Sequence, residues 1–198
     1  MEVFNMGNEK NELALFVAKT IAMLDGENSS YSKASLAKLR RAAGKSVEEC
    51  PDVWEITLLN APRWGQCKEV LHTVLTLYAL HKQGNNSSMS DEKTGFGTAV
   101  AKLIDSETKN VESIRRRFNL VATSQEFSEL SYHARGLIQM LRAKNIPMDY
   151  VRFALDLNWI MQPDYAGKIR LKWGEQFYGN MPIEAATKNT NMPEGEES

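Results

Sequence analysis

Leu13, Phe16, Val17, Thr20 and Leu24 recur at three- and four-residue intervals, the spacing that puts side chains on one face of an α-helix. Three more segments repeat the pattern. They run through Val70, Leu71, Val74, Leu77 and Tyr78, then Leu130, Ala134, Leu137, Ile138 and Leu141, then Tyr150, Phe153, Ala154, Leu157, Ile160 and Met161. No segment alternates apolar and polar residues as a half-buried strand does. Breaks fall at Gly26, Gly44 to Pro51, Pro62, Gly84, Pro147, Pro163 and Gly179, where glycine and proline end helices. The polar, turn-rich stretch "GNNSSMSDEKTG" at 84–95 is the best internal boundary, and the last twenty residues lack periodicity. No internal repeat is evident. The pattern predicts an all-α chain: an N-terminal helical bundle over 1–95, a C-terminal bundle over 96–178, and a flexible acidic tail over 179–198.

Charge placement sharpens this picture. The formal net charge is only -1, yet it is segregated. Residues 1–32 carry 2 basic and 5 acidic side chains, 33–97 carry 9 and 7, 98–178 carry 12 and 9, and 179–198 carry 1 and 4. Around "SIRRRFNLVATS", Val111, Ile114, Phe118 and Val121 define a core-facing side. At 100° per residue Arg116 then points directly away, with Arg115 and Arg117 about 80° to either side. In "SLAKLRRAAGKS", Ser35 is placed to cap the helix, Leu36, Leu39 and Ala43 face inward, and Lys38, Arg41 and Lys45 fall on the opposite side. Arg135, Gln139 and Arg142 form a polar edge beside the third apolar stripe, and Lys168, Arg170 and Lys172 add charge to the last helix. Charge on helix exteriors is ordinarily solvation. Recurrence of basic faces with few acidic neighbours suits a phosphate backbone, whose regular charge rewards counterion release. Such contacts position a strand without reading its bases.

The remaining composition mainly excludes. An apolar fraction of 42% with four Trp supports a real core. No run of 18 apolar residues is present, and the polar N-terminus is unlike a signal peptide, so a cytoplasmic location is expected. Cys50 and Cys67 read as buried small apolar residues rather than a disulfide. Glu69 and His72 form one Glu-x-x-His pair, whereas a di-iron carboxylate bundle needs two such pairs and two further glutamates. Glu129 and His133 read the same way, as a helical neighbour pair. No zinc-type C-x-x-C, P-loop, dinucleotide-binding glycine pattern or nucleophile elbow occurs, and "GFG" at 95–97 reads as a helix start. No cofactor is implied. Trp54, Trp64, Trp159 and Trp173 read as core anchors, with an exposed contact as the alternative for Trp64.

Six ordered segments, "LRRA", "APRWGQ" leading into "LTLYALH", "GFGTAVAKL", "SIRRRFNLV", "HARGLIQMLRAKNIPMDYVRFALDLNWI" and "IRLKWGEQFY", resemble in order and spacing the small subunit of the type I-E CRISPR Cascade complex, the CasB family. The resemblance runs over roughly residues 12–178. It implies an all-helical, two-bundle, non-enzymatic subunit. Its implied partners are the other Cascade subunits and crRNA, the displaced and target strands of DNA, and a second copy of itself. It implies a basic track that supports the R-loop while guide pairing supplies sequence specificity. Carried over by position, Arg40 and Arg41 match a basic pair on the N-terminal bundle, with Arg40 nearer the core edge. Arg115, Arg116 and Arg117 match a basic cluster opening a C-terminal helix, and Arg135 and Arg142 the polar edge of the next. The candidate nucleic-acid-binding set is therefore Lys38, Arg40, Arg41, Lys45, Arg115, Arg116, Arg117, Arg135 and Arg142. Three rivals stand beside it: a protein–protein scaffold without nucleic-acid contact, a metalloenzyme at Glu69 and His72, and a ligand-sensing helical regulator, for which no recognition-helix module is identifiable.

Overall fold

The computed structural model describes residues 2–26, 29–63, 67–104 and 111–182, with side chains from Lys10 onward. The described residues are helical, as the apolar spacing predicts. Helix α1 spans Glu2–Asp25, α2 Ser30–Ala42, α3 Trp54–Thr57, α4 Cys67–Lys82, α5 Phe96–Ala101, α6 Val111–Thr123, α7 Phe127–Ala143, α8 Tyr150–Ile160 and α9 Pro163–Gly179. A single 3₁₀ turn, Pro51–Val53, leads into α3. The extended pairing among the described residues is one isolated bridge between Ser90 and Met148.

Helix α4 organises the molecule. Every side chain from Val70 to Lys82 is buried, because α4 packs against α2 on one side and α7 and α8 on the other. A helix apolar for most of its circumference belongs in such a position. Helix α1 lies on α8, and α5 lies on α9. The α5–α9 approach depends on Gly97: a Cβ there would stand 2.2 Å from the Trp173 carbonyl oxygen. Phe96, the first residue of α5, meets the Phe153 and Trp173 rings at centroid distances of 5.0 and 4.9 Å. Phe118 of α6 stacks on Phe177 of α9 at 4.2 Å. The buried side chains form one continuous cluster from Leu13 to Phe177.

The polar stretch 84–95 is tied down at both ends. Lys82 Nζ donates to the Asn86 and Ser87 carbonyls and pairs with Asp25 at 3.2 Å. The Asp91 amide donates to the Met148 carbonyl, and the Asp149 amide to that of Thr94. Met89 and Thr94 are buried, so this connection packs against the segment that enters α8.

Several local expectations change. Helix α2 begins five residues before Ser35: Ser29 is the cap, its Oγ accepting from the Ser32 amide at 2.9 Å, while Ser35 is buried inside the helix. Of the tryptophans, Trp159 and Trp173 are core residues, but Trp54 is 42% exposed, with its indole N–H donating to the Val47 carbonyl at 2.8 Å. Satisfying the indole locally leaves no polar reason to bury the ring. Trp64 lies outside the described residues. Helix α9 runs through Gly179, and the tail expected beyond it lies, from residue 183, outside the described residues. Cys50 and Cys67 are both free and buried.

Candidate nucleic-acid interface

Helix α6 turns Ile114, Phe118 and Val121 into the core, each at most 1% exposed. That burial, worth roughly 1.5–3 kcal/mol per large apolar side chain, sets the rotation of the helix and hence where its three arginines go. Arg116 and Arg117 are exposed and Arg115 is half-buried. Arg115 bonds to Glu112 one turn earlier at 3.1 Å, so part of its charge is answered within the helix. Arg117 leans the other way, toward α7, with its Nη1 3.8 Å from where a Cβ on Gly136 would sit.

Arg135, the residue before Gly136, turns its guanidinium toward the loop after α2, against Gly44. Arg117, Arg135, Gly136, Tyr132 and Gln139 line one cleft between α6 and α7, of about 370 Å³. A second cleft of about 290 Å³ lies on the far side of Arg135, between α7, α4 and the loop after α2. It is lined by Lys45, Ser46, Glu48, Glu69, His72, Ser128, Ser131, Tyr132 and Arg135 among others. Arg135 and Tyr132 belong to both. The two clefts therefore share a wall, and Lys45, Arg135 and Arg117 stand in sequence along it. None of the three forms an ion pair among the described residues.

Lys45 arrives there by a route the helical spacing does not anticipate. Helix α2 ends at Ala42, Ala43 is extended, and Gly44 has φ +87°. Lys45 is thus off the helix, and its expected i+7 alignment with Lys38 does not exist. The positive φ suits glycine, and the Arg135 guanidinium fills the space beside it: a Cβ on Gly44 would lie 2.4 Å from Arg135 Nη1, which would have to move. Loop and guanidinium are pressed together. The carbonyl of Lys45 accepts a hydrogen bond from His72 Nε2 at 3.1 Å. A carbonyl only accepts, so the proton is on Nε2 and Nδ1 is an acceptor, buried and without a partner. Burial also lowers the His72 pKa from its ordinary value, which keeps the ring neutral near pH 7.

The other candidate cations stand elsewhere. Lys38 and Arg40 are half-buried and Arg41 is exposed. Arg40 and Arg41 occupy the last turn of α2, where positive charge offsets the helix dipole. Arg142, two turns beyond Arg135 on α7, donates to Gln83 Oε1 at 2.8 Å. None of these lines either cleft, and neither do Arg115 and Arg116. On α9, Lys172 forms an ion pair with buried Asp156, whose other oxygen accepts from the Trp173 indole at 2.8 Å. Arg170 donates to the Ser124 carbonyl at 2.8 Å.

Sequence reading overlooked Tyr132, which is 72% exposed. The available signal was an aromatic ring on the polar side of a clean amphipathic helix. Glu69 and His72 read in the sequence as a helical neighbour pair at the core edge, with a metal site as the lesser alternative. No group of three or more His, Cys, Asp and Glu side chains is gathered among the described residues as a metal site would need, and both line the second cleft instead. His133 stands 3.9 Å from Glu129.

Fold and site together define an all-helical protein with two adjoining clefts that share Tyr132 and Arg135. No helix among the described residues is long and apolar enough to cross a membrane. The sequence matches the family of CRISPR-associated protein Cse2 over residues 35–178, and the chain belongs to that family. Among solved structures it is similar to CasB from Thermobifida fusca, with 28% identity and a TM-score of 0.73, covering 84% of this chain and 97% of that one. A CRISPR-associated protein of the Cse2 family from Thermus thermophilus shares the fold at 16% identity and TM-score 0.67, covering 86% of this chain and 97% of that one. A chain of a CRISPR RNA-guided surveillance complex shares it at 15% identity and TM-score 0.68, covering 92% of this chain and 99% of that one. No curated protein sequence matches the chain.

Proposed function

We propose that the chain is a non-catalytic small subunit of an RNA-guided antiviral surveillance complex of the Cascade type, in the cytoplasm, and that it holds a separated DNA strand of the R-loop by its sugar-phosphate backbone. One observation carries the strand-holding role: Arg117, Arg135 and Lys45, from three separate elements, converge along two adjoining clefts. Family membership supports the assembly role. Convergence matters because a strand presents its phosphates serially, and cations on one path meet several at once. Lys38, Arg40, Arg41, Arg115, Arg116 and Arg142, which line neither cleft, contribute to strand capture through the longer-range field of the protein.

The bracing of a crRNA-bearing backbone rests on a different surface. A groove of about 590 Å³ between α1 and the α3 region exposes Leu15, Tyr31 and Leu59 together. Clustered exposed apolar side chains mark a protein contact. The same groove favours the scaffold reading as a second function, with strand contact absent. Replacing Arg117 and Arg135 by alanine separates the two readings. Strand binding should weaken, and the slope of log K against log salt should flatten by about 0.7 per lost single-strand phosphate contact. An unchanged slope, with assembly intact, leaves the scaffold.

A further inference from the structure

The cleft between α4, α7 and the loop after α2 is built unlike a phosphate site. Lys45 and Arg135 stand in its wall, but so do two carboxylates, Glu48 and Glu69. A phosphate placed inside would meet both negative charges. The lining also carries the hydroxyls of Ser128 and Ser131 and the side chain of His72. At the lip stands the exposed ring of Tyr132. Anion-binding side chains at the wall, an exposed aromatic beside them, and acceptors in the cleft together match one ligand chemistry: a planar, uncharged group bearing an amine, joined to a phosphate that stays outside.

Resting on the strand-holding role proposed above, we propose that a single nucleobase of the bound strand turns into this cleft. Its phosphate is on Arg135 and Lys45, its ring against Tyr132, and its exocyclic amine donates to Glu69. Cytosine, adenine and guanine carry such an amine; thymine presents a carbonyl there and is disfavoured by the carboxylate. The subunit thus acquires a base-dependent grip without reading a sequence, since one base per subunit is taken wherever the strand passes. The cleft volume of about 290 Å³ lies at the small end for ligand pockets, in keeping with one base rather than a nucleotide chain.

The test compares binding of the full-length chain to oligo-dC, oligo-dT and an abasic strand of equal length by fluorescence anisotropy. Oligo-dC should bind roughly five- to a hundredfold tighter than the abasic strand, the range that one stacked base contributes, and oligo-dT should fall between them. Ser131→Phe, which fills the cleft, should bring oligo-dC down to the abasic level without changing abasic binding. Tyr132→Ala, at an exposed position that does not threaten folding, should do the same. Glu69→Gln should narrow the dC-over-dT preference. Equal binding of dC and abasic strands, both still sensitive to salt and to Arg117→Ala, overturns the base pocket while the phosphate track stands. Failure of every strand to bind overturns both. Loss of partner-subunit binding in Ser131→Phe, with strand preferences unchanged, makes the cleft a protein contact and also overturns it.

Discussion

Helices α6 and α9 lie against each other, and both are rich in basic residues, but they use them differently. On α9, Lys172 is paired with buried Asp156 and Arg170 is bonded to the Ser124 carbonyl. Both cations hold the fold together. On the α6–α7 side, Arg117 leans onto α7 and Arg135 turns to the α2 loop, where Lys45 lines the same cleft, and none of the three has an ion-pair partner among the described residues. Arg115, two residues before Arg117 on the same helix, is already answered by Glu112. Positive charge by itself therefore says little about function. What distinguishes the two sets is whether the fold places a partner within bonding distance of the charged head.

The contrast is broken most severely at Asp156. Asp156→Ala removes the partner of Lys172 and the acceptor for the Trp173 indole at once. Removing one member of a buried ion pair costs about 3–5 kcal/mol, and the value here should fall near the lower end because the Lys172 side chain keeps 27% exposure. Urea unfolding should show that loss; a change under about 1 kcal/mol would make α9's cations as dispensable to the fold as those of the clefts.

A second effect comes from another buried polar group that serves the fold. His81 is fully buried, its Nδ1 3.0 Å from the Tyr150 hydroxyl, and burial lowers its pKa from 6.5 to about 4. The unfolded chain takes up a proton below pH 6.5 while the folded chain does not. Stability should thus be fully present above pH 6.5 and fall as the pH drops toward 4, by up to about 3 kcal/mol. Thermal melts of the protein and of His81→Asn across that window should differ in slope, and parallel curves would remove His81 from the account.

Gly44→Ala is gentler and probes the join between the two regions. The φ of +87° opposes a side chain, so a loss of about 1–3 kcal/mol is expected, and the added Cβ pushes aside Arg135 Nη1, 2.4 Å away. Strand affinity should fall with it, because the displaced atom belongs to Arg135. Smallest in stability is the Arg117→Ala and Arg135→Ala pair, expected to change unfolding by no more than about 1 kcal/mol while flattening the salt dependence. A large stability loss there would place these arginines with Lys172, as parts of the fold.

Much of this was legible in the residues. The four apolar stripes, the helix breaks and the inward triad Ile114, Phe118 and Val121 follow from a period that any amphipathic helix must obey. Arg40 is indeed nearer the core than Arg41, since a rotation of 100° separates them. The failures share one cause. Ser35 is a plausible cap by residue type, but the helix had already started at Ser30; Lys45 is in phase with Lys38 only if the helix continues, and Gly44 ends it. Local spacing describes one element at a time.

The sequence by itself determined the helices and their buried faces, because these depend on neighbours three and four residues apart. Only the tertiary structure decided which cations meet carboxylates, which meet each other, and that Tyr132, Glu69 and His72 share a cleft with Arg135. Those pairings join residues from different helices, and the packing of α4 between α2 and α7 sets their distances.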